Sequence, residues 1–298
     1  MVFKLLFCKK NKDDAILNKF KKSLSSLSIH NVFNPSFYID ENVEIFSFRA
    51  IKSGEDKISS FVIIKDKEKQ IIKNISEEFS EKLDTDQLID PKVTKLDNEL
   101  YLTFNSGWNP KGNSLFVMKI YPVIEPPKKI IYNKRKEQER NWTFFFEDGD
   151  IYALYWVNPL KILKLKRRGE ESWEFEDYYS GNEEQNIPSD LTIGTQLYKS
   201  KGGYNFVAHK KIKFLWKKIY FGKFCSFDFG NKKIKTGKKW LVYSLKSLLG
   251  SKIKHNTNLF SCTYFSGLQI FDGSVTLGYG VNDIEPDFSK YKIEDLLD

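Results

Sequence analysis

The chain has 298 residues, 41% of them hydrophobic, and a formal net charge of +9. That apolar share supports a large buried core and excludes a disordered or collagen-like chain. Three cysteines without close spacing, Cys8, Cys225 and Cys262, exclude a disulfide framework and a zinc knuckle and fit a reducing cytoplasm.

In chain order, "MVFKLLFCKKNKDD" has an apolar run too short for a signal-peptide core or a bilayer span, so no export is expected. Ile16, Leu17, Phe20, Leu24 and Leu27 follow at helical spacing and predict a short helix within a lead-in over residues 1–30. Five pairs of short alternating strands come next: "FYIDENVEIFSFRA" (37–50), "TKLDNELYLTFN" (94–105), "FFEDGDIYALYWVN" (145–158), "LYKSKGGYNFVAHKK" (197–211) and "LQIFDGSVTLGYGVN" (268–282). Each turns on Asp, Asn or Gly, the residues that tolerate the positive φ of hairpin turns.

The turns recur roughly every 50 to 70 residues, the period of a propeller blade of about four short strands. The expected fold is therefore all-β, a single five-bladed β-propeller domain over residues 1–298 with a short N-terminal helix. "SEEFSEKL" (76–83) reads as a helical turn, "YPVIEPPKKIIYNKRKEQERN" (121–141) as an extended connection, and "SLKSLLGSKIKHNTN" (244–258) as a polar rim insertion.

The positive charge has two readings: attraction to an anionic partner, or the Lys-, Asn- and Ile-rich composition of an AT-biased genome. "HKKIKFLWKKIYFGKF" (209–224) has the basic and aromatic interleaving of a nucleic-acid surface but reads more simply as blade strands with lysines outward, so no nucleic-acid partner is expected. No phosphate-binding Gly-rich loop, H-E-x-x-H or Cys-x-x-Cys motif is present, and neither a metal site nor a cofactor is expected.

Polar residues recur at matching places around the hairpins. Asn34-Pro35 and Arg49 flank the first, Asp90-Pro91 and Lys92 precede the second, and Asn141-Trp142 precede the third. His209 follows the fourth, and Tyr279-Gly280 with Asp283 follow the fifth. Taken together with "IDPKVTKLDNELYLTF", "ERNWTFFFEDGDIYALYWVNPLKIL" and "SGLQIFDGSVTLGYGVND", this order resembles the five-bladed propeller proteins related to glycoside hydrolase family 130 over residues 31–285. That group includes β-mannoside phosphorylases, hydrolases and mannosyltransferases.

The resemblance implies that Asp90, aligned with the aspartate of the family's Glu-Asp-Pro-Arg block, is the catalytic acid or base in a central funnel. Its structural alternative is an Asp-Pro turn opening a strand. The resemblance also makes Asn34, Arg49, Lys92, Asn141, Trp142, His209, Tyr279 and Asp283 substrate-binding candidates. Ile89 and Lys92 depart from the flanking Glu and Arg of that block, and Val157 and Ile193 stand near places where phosphorylases carry arginines. Orthophosphate needs converging cations, so these departures argue against phosphorolysis.

With the basic charge and no export signal, the expected function is a cytoplasmic glycosyltransferase of polysaccharide biosynthesis. Its partners would be a nucleotide sugar or sugar phosphate donor, a glycan acceptor and the inner membrane surface. The alternatives are a glycoside hydrolase or phosphorylase on short oligosaccharides and a non-catalytic glycan-binding propeller.

Overall fold

A computed structural model describes residues 7–8, 11–110, 112–139, 141–182, 186–188, 190–214, 216–250 and 257–297. Residues 251–256 of the expected rim insertion lie outside the described residues; its first part is a 3-10 helix, Leu245–Leu249.

The helix α1 (Asp14–Leu24) starts where Asp13 Oδ1 accepts the amide of Ile16 at 3.2 Å. A capping side chain of this kind satisfies one of the amides that the first helical turn leaves open. Phe20 of α1 is fully buried among Phe46, Phe48 and Phe288, which anchors the lead-in on the β-structure.

The rest is almost entirely antiparallel sheet. β1 (Ile29–Ile39), β2 (Val43–Lys52), β3 (Ile58–Asp66) and β4 (Gln70–Asn74) form one meander, followed by the short helix α2 (Ile75–Phe79). β5 (Ile89–Leu96), β6 (Glu99–Asn105), β7 (Leu115–Tyr121) and β8 (Lys128–Ile131) form a second. A third contains β9 (Thr143–Glu147), β10 (Asp150–Val157), β11 (Leu160–Arg168) and β12 (Ser172–Ser180). The second and third share one sheet through a parallel pairing of β8 with β12, Ile130 opposite Trp173. The segment 121–141 thus holds a strand, a correction to its reading as a plain connection.

The C-terminal sheet comprises β13 (Thr192–Ile193), β14 (Tyr198–Ser200), β15 (Gly203–Phe214), β16 (Lys217–Asp228), β17 (Lys233–Leu241), β18 (Leu259–Phe271), β19 (Ser274–Val281) and β20 (Glu285–Lys292). The chain ends in α3 (Ile293–Leu297). All five expected hairpins are present: β1/β2, β5/β6, β9/β10, β14/β15 and β18/β19. Asp148-Gly149 and Asp272-Gly273 take positive φ at both positions, as tight hairpin turns require.

The ring of meanders closes on itself. The Gln269 side chain accepts from the Ile39 amide at 2.9 Å and donates to the Ile39 carbonyl at 2.6 Å, tying β18 to β1. The lead-in runs along β20: the Lys290 amide donates to the Asn11 carbonyl at 2.8 Å, and the Asp13 amide to the Phe288 carbonyl at 3.0 Å. The lead-in thus covers the edge strand β20, and the Gln269 side chain ties β18 to β1, the first strand of the N-terminal meander.

This closure places β1 so tightly against β19 that a Cβ on Gly280 would lie 2.0 Å from Asn34 Oδ1 and 2.8 Å from the Asn34 amide nitrogen. Because one of those atoms is backbone, the clash cannot be relieved by a side-chain rotation alone. Gly280→Ala is therefore expected to lower folding stability by about 2 kcal/mol, the usual cost of overpacking a filled core. Urea unfolding measures this, and an unchanged midpoint would refute the close packing.

Candidate functional site

The site begins with two irregularities in the inner strands. Between Ile89 and Lys92, β5 advances three residues while its partner β6 moves only from Asn105 to Thr103, so Asp90-Pro91 forms a bulge. Asn34-Pro35 does the same in β1, between Phe33 and Ser36. Asp90 and Asn34 take positive φ of 54° and 53°, which Asp and Asn tolerate better than other residues bearing a Cβ. The following proline lacks an amide proton, and a bulge is a place where none is missed.

Both bulges are cross-braced. Ser47 Oγ donates to the Pro91 carbonyl at 2.9 Å, Ser36 Oγ accepts from the Val93 amide at 3.0 Å, and Ser266 Oγ donates to the Pro35 carbonyl at 2.9 Å. A side chain on such a bulge is re-aimed out of the strand's regular alternation and held there. For Asn34 that direction leads into the protein, against Gly280. For Asp90 it leads to a cavity of about 650 Å³.

A charged cluster surrounds Asp90. Arg49 on β2 places Nη1 at 3.5 Å from Asp90 Oδ1, and its guanidinium lies 5.0 Å from the centre of the Phe33 ring. Lys92 is buried, with its ammonium 5.8 Å from the centre of the Tyr264 ring. Burial lowers the Lys92 pKa to about 8, a shift that the Asp90 charge opposes. Tyr264 itself is held well above the ordinary phenol range by burial and next by the Asp90 charge. Asp283, in the turn after β19, acts on Tyr264 in the same direction.

His209 on β15 is buried, and its Nε2 accepts the Phe265 amide at 2.9 Å, which leaves the proton of the neutral ring on Nδ1. Its ring centre is 4.4 Å from that of Tyr264. Burial, followed by the Lys92 charge, lowers its pKa to about 3. The ring is therefore an uncharged brace between β15 and β18.

Asp90, Asn141, Trp156, Thr192, His209 and Tyr264 line the large cavity, and Lys211 and Lys213 extend its wall. A second cavity of about 260 Å³ shares Asn141, Trp156, Leu191 and Thr192 with it. Trp142, Tyr155, Val157 and Ile193 belong to that second wall. Trp156, 37% exposed, contributes to both, and Lys136 places its ammonium 4.7 Å from the Trp156 ring centre. A bulge between Leu154 and Trp156 in β10 turns the indole outward.

Of the residues singled out from the sequence, Asp90, Asn141 and His209 line the large cavity and Trp142 the smaller one. Arg49, Lys92 and Asp283 cluster around Asp90 or Tyr264. Trp142 is mostly enclosed: its indole donates to Glu139 Oε2 at 3.0 Å and packs edge-on against Tyr155. Asn34 and Tyr279 lie in the core, where the Tyr279 hydroxyl meets Ser289 Oγ at 2.7 Å, and neither residue lines either cavity. Sequence reasoning missed Trp156, Tyr220, Tyr264, Lys211 and Lys213. The alternation of His209, Lys211 and Lys213 along one strand face was the signal available for the last two.

No family model and no curated protein matches the sequence. Solved structures match in fold across nearly the whole chain. One belongs to work on the GH130 family of mannoside phosphorylases, which contains glycoside hydrolases that target β-1,2-mannosidic linkages in Candida mannan. It has a TM-score of 0.60 and 10% identity and covers 99% of this chain and 96% of its own. The β-1,2-mannobiose phosphorylase of Listeria innocua has a TM-score of 0.56 at 12% identity, with 90% and 91% covered. A glycosyl hydrolase from Bacteroides ovatus has a TM-score of 0.55 at 11% identity, with 89% and 85% covered.

The fold is thus the GH130-like propeller fold that the motif order suggested. These neighbours are hydrolases and phosphorylases, which overturns the expectation of a glycosyltransferase and of a role in polysaccharide biosynthesis. The features that suggested a transferase were the basic charge, the missing arginines and the absence of an export signal; the first two bear on which anion binds and the third on location, and none on whether a glycosidic bond is made or broken. Among the described residues, no helix is long and apolar enough to cross a membrane.

Proposed function

We propose that this protein cleaves a glycosidic bond in a short oligosaccharide, by hydrolysis or phosphorolysis, with Asp90 delivering the proton to the departing oxygen. The observation that carries this reading is the Asp90 carboxyl, set by a cross-braced bulge at the wall of an open cavity large enough for sugar rings. The fold neighbours support the reaction class. We read the architecture as one domain of five blades, each built on one of the hairpins, and place the protein in a reducing cytoplasm, a location the three free thiols support.

Cleavage requires a proton on the leaving oxygen as the bond to the anomeric carbon breaks, and a carboxyl group placed beside that oxygen supplies it. Arg49 fixes the carboxyl's orientation, and the bulge fixes its position. Positive charge from Arg49 and Lys92 in this partly dry pocket stabilises the carboxylate left on Asp90 after proton transfer. Val157 and Ile193 make part of the adjoining wall apolar, which favours water over orthophosphate as the attacking group.

The test is product analysis for a panel of β-linked di- and trisaccharides, incubated with and without orthophosphate. Free reducing sugar formed without phosphate supports hydrolysis, and phosphate-dependent sugar 1-phosphate assigns phosphorolysis. Absence of cleavage throughout the panel would remove the proposal. Trp156 offers the exposed ring face on which a pyranose can rest, a contact worth about 1 kcal/mol. Trp156→Ala is accordingly expected to raise KM about fivefold with a smaller change in kcat, as steady-state kinetics on the cleaved substrate would show.

A further inference from the structure

The large cavity carries positive charge that proton delivery by Asp90 does not use. Alternate residues of a strand share a face, and on β15 these are His209, Lys211 and Lys213, all of which line the cavity. His209 sits at the buried end beside Tyr264, and the two exposed lysines continue the row outward at about 7 Å per two-residue step. The two carboxylates that line the same cavity are already engaged: Asp90 by Arg49 at 3.5 Å, and Asp190 by Lys210. Among the described residues, neither Lys211 nor Lys213 has a carboxylate partner. Tyr220, directly opposite Lys211 in the β15/β16 register, lines the cavity alongside them.

Two ammonium groups on a concave wall, without a carboxylate partner among the described residues, draw anions into it and focus their field there. We propose that the oligosaccharide cleaved here is acidic. Lys211 and Lys213 hold a carboxylate or a phosphate ester on the sugar residue next to the bond presented to Asp90. This rests on the cleavage reading above and adds the substrate class to it. Lysine, a flexible point charge without the planar fork of arginine, accepts either anion.

The two sources are separated by calorimetric titration of the full chain with trigalacturonate, mannose 6-phosphate, neutral β-1,2-mannobiose and orthophosphate alone. The expected result is that one acidic sugar binds at least about tenfold more tightly than mannobiose at low salt. That margin should shrink in about 0.5 M salt, where exposed charges are screened, and disappear in the Lys211→Gln/Lys213→Gln variant. The better of the two acidic probes identifies the anion.

Equal binding of neutral and acidic sugars, no binding of either acidic probe, or a margin that persists in the double variant would overturn the proposal. So would orthophosphate binding that depends on both lysines without any gain for acidic sugars, since the charges would then serve the attacking group. A thermal melt matching the wild type establishes that the double variant is folded. Failure of the cleavage reading looks different: acidic sugars would bind through the two lysines, but no bond would be broken.

Discussion

Asp90→Asn is expected to lower kcat/KM by about 10²- to 10⁴-fold on a natural oligosaccharide, the usual range for loss of a positioned general acid. Asparagine is the informative replacement because it tolerates the positive φ of the bulge as well as aspartate does and keeps an oxygen facing Arg49. It removes the titratable proton, and with it the carboxylate charge paired with Arg49, at nearly unchanged shape. Oligosaccharide affinity measured by titration should therefore change little, and an aryl glycoside with a strongly acidic phenol should lose far less rate, since its leaving group needs no proton. If Asp90 merely opens β5 and anchors Arg49, the variant would keep its turnover on both substrates. A non-catalytic binding propeller would show no turnover before or after the change.

The hairpins were legible in the sequence because their signals are local. Asp148-Gly149 and Asp272-Gly273 specify tight turns by backbone chemistry alone, whatever packs around them. β8 was not legible, since it is four residues long, follows two prolines, makes only a short antiparallel pairing with β7, and gains its other neighbour from a parallel partner more than forty positions along the chain.

An Asp-Pro step alone predicts only a turn; within the candidate site, Asp90 could be singled out because its Asp-Pro step falls where the motif order of the resembled family carries an aspartate. Trp156 could not, because its outward turn depends on a one-residue register shift in β10 that alternating polarity does not encode. Asn34 shows the converse. It has the same Xaa-Pro signature and the same positive φ as Asp90, yet closure of β1 against β19 claims its side chain. Equivalent local sequences took different roles through contacts between the two ends of the chain.

Below neutral pH the protein should lose stability through His209. In the unfolded chain this imidazole takes up a proton near pH 6.5, whereas in the fold burial and the Lys92 charge hold it unprotonated down to about pH 3. Over that window the unfolded state binds one more proton, so stability rises with pH and is lost as pH falls. At about 1.4 kcal/mol per pH unit, the loss between pH 6.5 and about pH 4 is about 3 kcal/mol.

Other groups contribute to acid sensitivity, so the quantity to measure is the difference in unfolding free energy between wild type and His209→Gln. The glutamine oxygen reaches the position of Nε2 and can still accept the Phe265 amide without titrating. The variant's advantage should grow steadily as pH falls from 6.5. Lys92→Met should give the complementary result at high pH. The buried ammonium deprotonates at about 8 in the fold and near 10.5 unfolded, so the wild type gains stability relative to the variant as pH rises through that interval. Parallel pH profiles for all three proteins would mean that neither side chain changes ionisation on folding, and that the pocket around Asp90 is far wetter than the packing of His209, Lys92 and Tyr264 implies.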